Sequence, residues 1–321
     1  MKIRILTAGD VRAALPMRRA VDAMRSAFSQ FSAGEVEVPL RGRVATGKGV
    51  TLLMPAFVKG TGELGVKIIS IYDGNPPLGL PTVTATVLVL DPDTGLPRAL
   101  MDGSSLTAIR TGAAGGLGAE VLSRHDARRV VLFGAGVQAR TQLEAVLAVR
   151  RIEEVAVVDP LPEAARRLAA DFDGREDGPR VTVAVDAAAA VRRADIVITA
   201  TTSRTPVFDG NDLPPGVHIT AVGSFMPDVQ EIDAVTVERS YVVADSRDMA
   251  LEEAGDLIIP NAAVDAEIGE IVNGARPGRR DDEQITLFKT VGVAVQDAVA
   301  AAAVLARAEE EGRGTVVELG N

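Results

Sequence analysis

Residues Val130 to Asp159 read VVLFGAGVQARTQLEAVLAVRRIEEVAVVD, and the order of residue types in this stretch decides the fold. An apolar run, a glycine turn, a segment with helical spacing and a second apolar run ending on an acid form one strand-helix-strand unit. A pyrophosphate needs backbone N–H groups that approach closely, so the turn after the first strand must carry little side chain. Gly134, Gly136 and Ala139 supply GxGxxA at that turn. The phosphates then meet the positive end of a helix that starts near Val137 and Gln138. Asp159 closes the second strand about 20 residues further on, where a carboxylate bonds both ribose hydroxyls of an adenosine and repels a 2′-phosphate. Pro160 and Pro162 follow it rather than an arginine. The unit therefore predicts NAD(H) as cofactor, with NADP(H) less favoured.

Composition narrows the chemistry that accompanies this unit. At 321 residues the chain is long enough for two domains with separate cores. A net charge of -10 argues against nucleic acid or an anionic membrane as partner, since both favour a basic face. A small molecule is the expected partner. The absence of cysteine, and the presence of only His125 and His218, exclude disulfides, thiol catalysis and a His/Cys metal cluster, so no metal is expected. Acid–base work falls to Lys, Asp, Glu or Tyr. The opening MKIRILTAGDVRAAL lacks a signal-peptide apolar core, and no uninterrupted apolar run reaches about 18 residues. A cytoplasmic protein is expected.

Along the chain, Ile3 to Leu6 read as a strand and Thr7 to Asp10 as a helix cap. A longer helix follows from Pro16, with Ala20, Val21, Met24, Ala27, Phe28 and Phe31 on one stripe, and stops at Gly34. Between about residues 36 and 102 the pattern is β, over Val50 to Pro55, Leu64 to Tyr72, Thr82 to Leu90 and Ala99 to Asp102, with turn signals between the runs. This predicts a mainly antiparallel sheet. Helix returns at Ser104 to Leu122, and from Arg129 strands alternate with helices over Val181 to Val185, Ile196 to Thr201, His218 to Val222 and Tyr241 to Ala244. Such alternation predicts a Rossmann-type, doubly wound parallel sheet. The fold class is thus α/β, with a second α+β domain for substrate and dimerisation. A final helix is read over Thr290 to Glu311, with Lys289 as a surface charge at its start. A helix in this place returns to the first domain, so residues 1–122 and 290–321 are expected to form one discontinuous domain and 123–289 the dinucleotide domain.

Several longer stretches carry a resemblance. MPAF at Met54 to Phe57, GVKIIS at Gly65 to Ser70, GLPTVTATVLVLDPDTGLPRALMDGSSLTAIRTGA from Gly79 to Ala113, AVGSFMPDVQEID at Ala221 to Asp233 and TLFKTVGVAVQD at Thr286 to Asp297 resemble the ornithine cyclodeaminase/mu-crystallin family. The resemblance covers nearly the whole chain. It implies a Rossmann domain, an N-terminal substrate and dimerisation domain, and a homodimer. Members include cyclodeaminases, alanine and arginine dehydrogenases, reductases of cyclic ketimines, and a lens and hormone-binding protein.

An amino or imino acid presents an α-carboxylate, which a guanidinium matches as a fork and a lysine as a point charge. Three cations suit that role: Arg41 in PLR, Lys67 in the apolar run GVKII, and Arg110 after SSLTAI. A lysine inside such a run either lies on a solvated face or is buried at a cost in free energy. By resemblance Lys67 is the active-site lysine, Arg41 and Arg110 are carboxylate ligands, and Arg110 and Thr111 also lie close to the cofactor. Met54 and Thr82 are further expected substrate contacts. Thr201, Val222, Gly223 and Ser224, at the carboxyl ends of strands, are expected at the cofactor, and Thr290 by resemblance faces the nicotinamide. The implied chemistry is hydride transfer to the α-carbon of an imino acid, with Lys67 managing a proton.

The departure from the cyclodeaminase pattern is informative. Cyclodeaminases and related archaeal alanine dehydrogenases carry an acid two residues after the glycine of the AVG strand, whereas this chain has Phe225, which accepts no proton. Asp228, after Pro227, reads as a turn residue. The AVGSFxPD form is similar to members that reduce preformed cyclic imines, so a reductase acting on pyrroline-2-carboxylate or piperideine-2-carboxylate is the first expectation. A cyclodeaminase or amino-acid dehydrogenase of the same fold, and a dinucleotide-dependent binding protein with negligible turnover, remain open alternatives.

Overall fold

A computed structural model describes residues 1–175 and 178–320. In chain order the elements are β1 (Lys2–Leu6), α1 (Ala8–Ala14), α2 (Met17–Ser32), β2 (Val36–Glu37), β3 (Gly42–Ala45), β4 (Val50–Val58), β5 (Leu64–Ile71), β6 (Val83–Leu90), β7 (Pro97–Asp102) and α3 (Gly103–Leu122). Next come β8 (Arg129–Phe133), α4 (Val137–Val149), β9 (Glu154–Val158), α5 (Pro162–Phe172), β10 (Arg180–Val183), α6 (Ala187–Val191), β11 (Ile196–Thr199), β12 (His218–Ala221), α7 (Ala234–Glu238) and β13 (Ser240–Ala244). The chain ends with α8 (Arg247–Glu253), α9 (Gly255–Ile258), β14 (Ala266–Glu267), α10 (Ile268–Val272), β15 (Ile285–Lys289), α11 (Ala294–Glu311) and β16 (Thr315–Glu318). It divides into two compact units, Met1–Arg110 with Val293–Asn321, and Thr111–Gly292.

The first unit is a sheet in the order β16-β1-β7-β6-β5-β4-β2, with β3 also pairing β4. All of its pairs are antiparallel except β1 with β7. Helix α2 buries Ala20, Val21, Met24, Ala27 and Phe28 of the expected stripe, leaves Phe31 half-buried, and packs on α11. Thr7 caps α1 in a reciprocal box with Asp10. Because successive strand residues alternate faces, Leu52, Met54, Ala56 and Ile69 share the face covered by α11, against Ala294 and Ala298. The opposite face carries Leu53 and Ile68, which are register partners, and Val44, all three exposed.

The second unit is an eight-stranded sheet, β10-β9-β8-β11-β12-β15-β13-β14, in which every adjacent pair is parallel. Strand order reverses between β8 and β11, the point at which open α/β sheets bind ligands beyond their carboxyl ends. Helix α5 anchors itself with Phe172, fully buried, a contribution of about 3 kcal/mol.

Three differences from the sequence reading have physical causes. Ile285–Lys289 is a strand in mid-sheet and the final helix begins only at Ala294; a short apolar run is helix or strand by periodicity alone, and Gly292 at φ +88° breaks the chain between them. Lys289 is accordingly buried on β15 and is no surface charge. The join between units lies at Arg110/Thr111, inside α3, twelve residues before the expected one. Past Thr111 this helix approaches its own unit closely: a Cβ on Gly112 would lie 2.5 Å from the Thr141 carbonyl oxygen, and one on Gly118 2.5 Å from the Phe288 ring. Among the described residues no helix is long and apolar enough to cross a membrane.

Candidate active site

In the first unit the register alone gathers the expected substrate residues. Met54 on β4 stands opposite Lys67 on β5, and Lys67 opposite Val87 on β6. Gly42 pairs with Leu53, which brings Arg41 alongside Met54. Lys67 is 2 % exposed and Arg110, from α3, is 6 % exposed. Burial on this scale is costly for a cation without a counterion, and the counterion is Asp297 in the first turn of α11. Its Oδ2 lies 2.7 Å from Lys67 Nζ and its Oδ1 accepts from Arg110 Nε at 3.0 Å. Arg110 Nη1 also donates to Gln296 Oε1 at 3.0 Å, and the same oxygen accepts the Val293 N–H.

The electrostatics follow from this arrangement. Burial pushes Lys67 down from the ordinary lysine value to about 8; Asp297 pulls it up, while Arg110 and Arg41 push it further down. Burial acts to raise Asp297, yet Arg110 and Lys67 hold its carboxyl below the usual range. Two buried cations thus share one buried carboxylate. Such a group attracts a further anion, and its guanidinium and ammonium donors suit a carboxylate.

Sequence reasoning missed Asp297 and Gln296. The signal was present: Asp297 lies four residues after Val293 and four before Ala301, both fully buried, so an acid occupied an apolar helix stripe and needed a partner. Thr82 behaves differently from Arg41, Met54, Lys67 and Arg110. It precedes β6 and its carbonyl accepts from Tyr72 N–H, five positions along from Lys67, about 17 Å at the strand rise. The structure does not bring it to the lysine.

In the second unit Gly134, Gly136, Val137, Gln138, Asp159, Thr201, Val222, Gly223, Ser224 and Thr290 all follow the carboxyl ends of parallel strands. Gly134 has φ +102°, and a Cβ there would lie 2.4 Å from the Ala200 carbonyl oxygen, so only glycine lets the β8 and β11 loops meet. Gly136 is the opposite case: a Cβ would meet nothing within 4 Å, and the start of α4 has no side-chain cap. Uncapped N–H groups facing a space that lacks side chain fit a pyrophosphate. Asp159 Oδ1 accepts the Leu161 N–H at 2.8 Å, which orients the carboxylate and leaves Oδ2 for a ribose.

Further along the same edge, Glu231 ties two strand ends together, accepting from Thr201 N–H at 2.6 Å and from the Gly223 N–H and Thr199 hydroxyl. Burial raises its pKa against the opposing pull of Lys289. Asp256 accepts from Lys289 Nζ at 2.7 Å and from Glu231 N–H at 2.7 Å. Ser224 donates to the Val229 carbonyl and Thr290 to Asp245 Oδ2, which also accepts the Val291 and Gly292 N–H groups. Both hydroxyl protons are therefore spent on shaping loops. Phe225 is 53 % exposed, and Asp228 is an exposed partner of Arg204. A cavity of about 540 Å³ lined by Arg239, Tyr241, Asp265 and Arg280 opens at the amino ends of β13 and β15, the wrong end of a parallel sheet for a dinucleotide.

The ornithine cyclodeaminase/mu-crystallin family description matches residues 1–312. The chain belongs to that family. Delta(1)-pyrroline-2-carboxylate reductase of Bacillus cereus is 37% identical over 324 residues, covering 98% of this chain and 99% of the relative. The solved structure of Thermococcus litoralis Delta(1)-pyrroline-2-carboxylate reductase in complex with NADH and L-proline superposes with a TM-score of 0.92 at 39% identity, over 98% of this chain and 99% of that one. An archaeal alanine dehydrogenase dimer with bound NAD gives a TM-score of 0.93 at 33% identity, over the whole of both chains.

Proposed function

We propose that this protein is an NADH-dependent reductase of cyclic imino acids, converting pyrroline-2-carboxylate or piperideine-2-carboxylate to the L-amino acid. The observation that carries the reading is the pair of buried cations, Lys67 and Arg110, divided over the single carboxylate of Asp297, with Arg41 close enough to act on Lys67. The relatives supply the identity of a further anion, since the Thermococcus litoralis structure holds L-proline with NADH. Arg41 and Arg110 fix the substrate carboxylate, with Met54 lining the same strand row. Lys67 donates a hydrogen bond to the substrate and its ammonium passes a proton to the imine nitrogen: the Nζ–H bond breaks, N–H forms, and solvent restores the lysine. When bound, the reduced nicotinamide supplies the hydride that forms the new C–H bond at the α-carbon while the C=N π electrons pass to nitrogen. Gly134, Gly136, Val137 and Gln138 hold its pyrophosphate, and Asp159 selects NAD(H) over NADP(H). Glu231 holds the Thr201 and Gly223 ends against the nicotinamide half, beside Val222, Ser224 and Thr290.

Phe225, standing where cyclodeaminases keep an acid, turns the chain from ring closure to reduction. A homodimer is part of the reading, supported by the bare apolar face of Val44, Leu53 and Ile68 and by the alanine dehydrogenase dimer, and its compartment is the cytoplasm. The test is a panel of cyclic imino acids with NADH and NADPH. Oxidation of NADH by either five- or six-membered imine is expected. Ammonia release from L-ornithine without net NADH change would make it a lyase, NAD reduction by L-alanine a dehydrogenase, and ligand binding without turnover a binding protein.

A further inference from the structure

Nothing in the family resemblance singled out Asp297, yet its two oxygens are divided between the two cations that matter. Oδ2 lies 2.7 Å from Lys67 Nζ and Oδ1 3.0 Å from Arg110 Nε, and all three side chains are at most 7 % exposed. The division has a consequence for Arg110. With Nε held by Asp297 and Nη1 by Gln296, the guanidinium cannot turn its Nε-side fork to a ligand without losing its counterion. Its plane is set from behind by the first turn of α11. Lys67 is set the same way: a buried ammonium on a flexible stem would otherwise lose either its place or its proton.

We propose that Asp297 is the positioning residue of this site, holding Lys67 charged and in place, with Arg110 as the other end of the bridge. This rests on the reading of the protein as an imino-acid reductase. The groups facing Lys67 are Asp297 from α11, Arg110 from α3 and Arg41 from the segment before β3, so removing the carboxylate leaves Lys67 among like charges. In Asp297→Asn the pH midpoint above which the lysine stops acting therefore moves down by about 1–3 units, and kcat falls about a hundredfold through misplacement. Asp297→Glu restores the midpoint while kcat recovers only in part. A packing role would change stability and leave the midpoint where it was.

The experiment has two arms on the full chain. Calorimetry of pyrrole-2-carboxylate, a planar carboxylate that accepts no hydride, follows the midpoint of anion binding in the NADH-loaded protein without any turnover. Steady-state kinetics follows kcat and KM in parallel, with NADH affinity expected to stay within about twofold. An unchanged midpoint in Asp297→Asn overturns the proposal. Should that variant not fold, Lys67→Met and Lys67→Met/Asp297→Asn are compared instead. Less than about a tenfold further loss is expected once Lys67 is gone, and a second hundredfold loss overturns the proposal. A protein that binds the planar carboxylate with these midpoints but reduces no cyclic imine sinks the functional reading and leaves Asp297 its role.

Discussion

Two lysines lie buried on strands of this protein, each 2.7 Å from a buried aspartate, and the two pairs differ in their surroundings. Lys289 and Asp256, both fully buried, sit in the second unit with Glu231 adding a second negative charge and its N–H a further donor to Asp256. Lys67 and Asp297 sit in the first unit, where Arg110 claims the other carboxylate oxygen and Arg41 adds a third positive charge. One ammonium is matched from within and braces the strand ends; the other shares its only carboxylate with Arg110 and, in the proposed function, takes an anion from outside. Pair distance does not separate a structural lysine from a functional one. The charge balance of its neighbours does.

The sharpest way to break this contrast is to substitute both lysines. Lys67→Met should lower kcat/KM for a cyclic imine by about 10²–10⁴-fold and cost little stability, because Asp297 keeps Arg110 as partner. Lys289→Met should strand Asp256 in the interior and destabilise the protein by about 3–5 kcal/mol, with kcat nearly unchanged in the fraction that remains folded. Denaturant melts and steady-state kinetics on both variants check the crossing; comparable activity losses in the two would dissolve the distinction.

The cofactor side offers a milder test. Gly136 has φ −82° and room for a Cβ, so Gly136→Ala should melt like the parent while NADH binds about tenfold more weakly, about 1.4 kcal/mol, as read by fluorescence titration. In the proposed mechanism the protonated Lys67 is the active form, and burial lowers its pKa to about 8. The rate should therefore hold below that pH and fall above it, and a profile flat to pH 10 would remove the lysine from proton handling.

The smallest effect concerns a group in neither pair. His218 is fully buried between Thr286 and Thr220, and burial, with Arg279 and Arg150, holds its pKa well below 6.5. The unfolded chain then binds the extra proton first, so stability is present above pH 6.5 and is lost as pH falls below it, by up to about 1.4 kcal/mol per pH unit. Urea midpoints at descending pH should show that slope in the parent and lose it in His218→Asn.

Much of the fold was legible because its signals are local. The glycine turn, the acid closing β9 and the alternating strands of β4 to β7 follow from steric and periodic rules that act within a few residues. β15 escaped because three apolar residues in a run of five do not distinguish strand from helix, and with it went the burial of Lys289. In the site, Arg41, Lys67 and Arg110 were readable as cations in unusual places, and Asp297 was on the page as an acid in an apolar helix stripe, but nothing local said which charge it answers.

By itself, then, the sequence determined the glycine turn, the acid that closes β9 and the cations available for a carboxylate, since backbone approach and charge sign depend on residue type and spacing. Only the tertiary structure decided which cation meets which carboxylate. Lys67 and Arg110 are brought to 2.7 and 3.0 Å from the carboxylate of Asp297 by sheet register and the return of α11, and pairing over such separations is settled by packing and desolvation, which no short stretch of sequence contains.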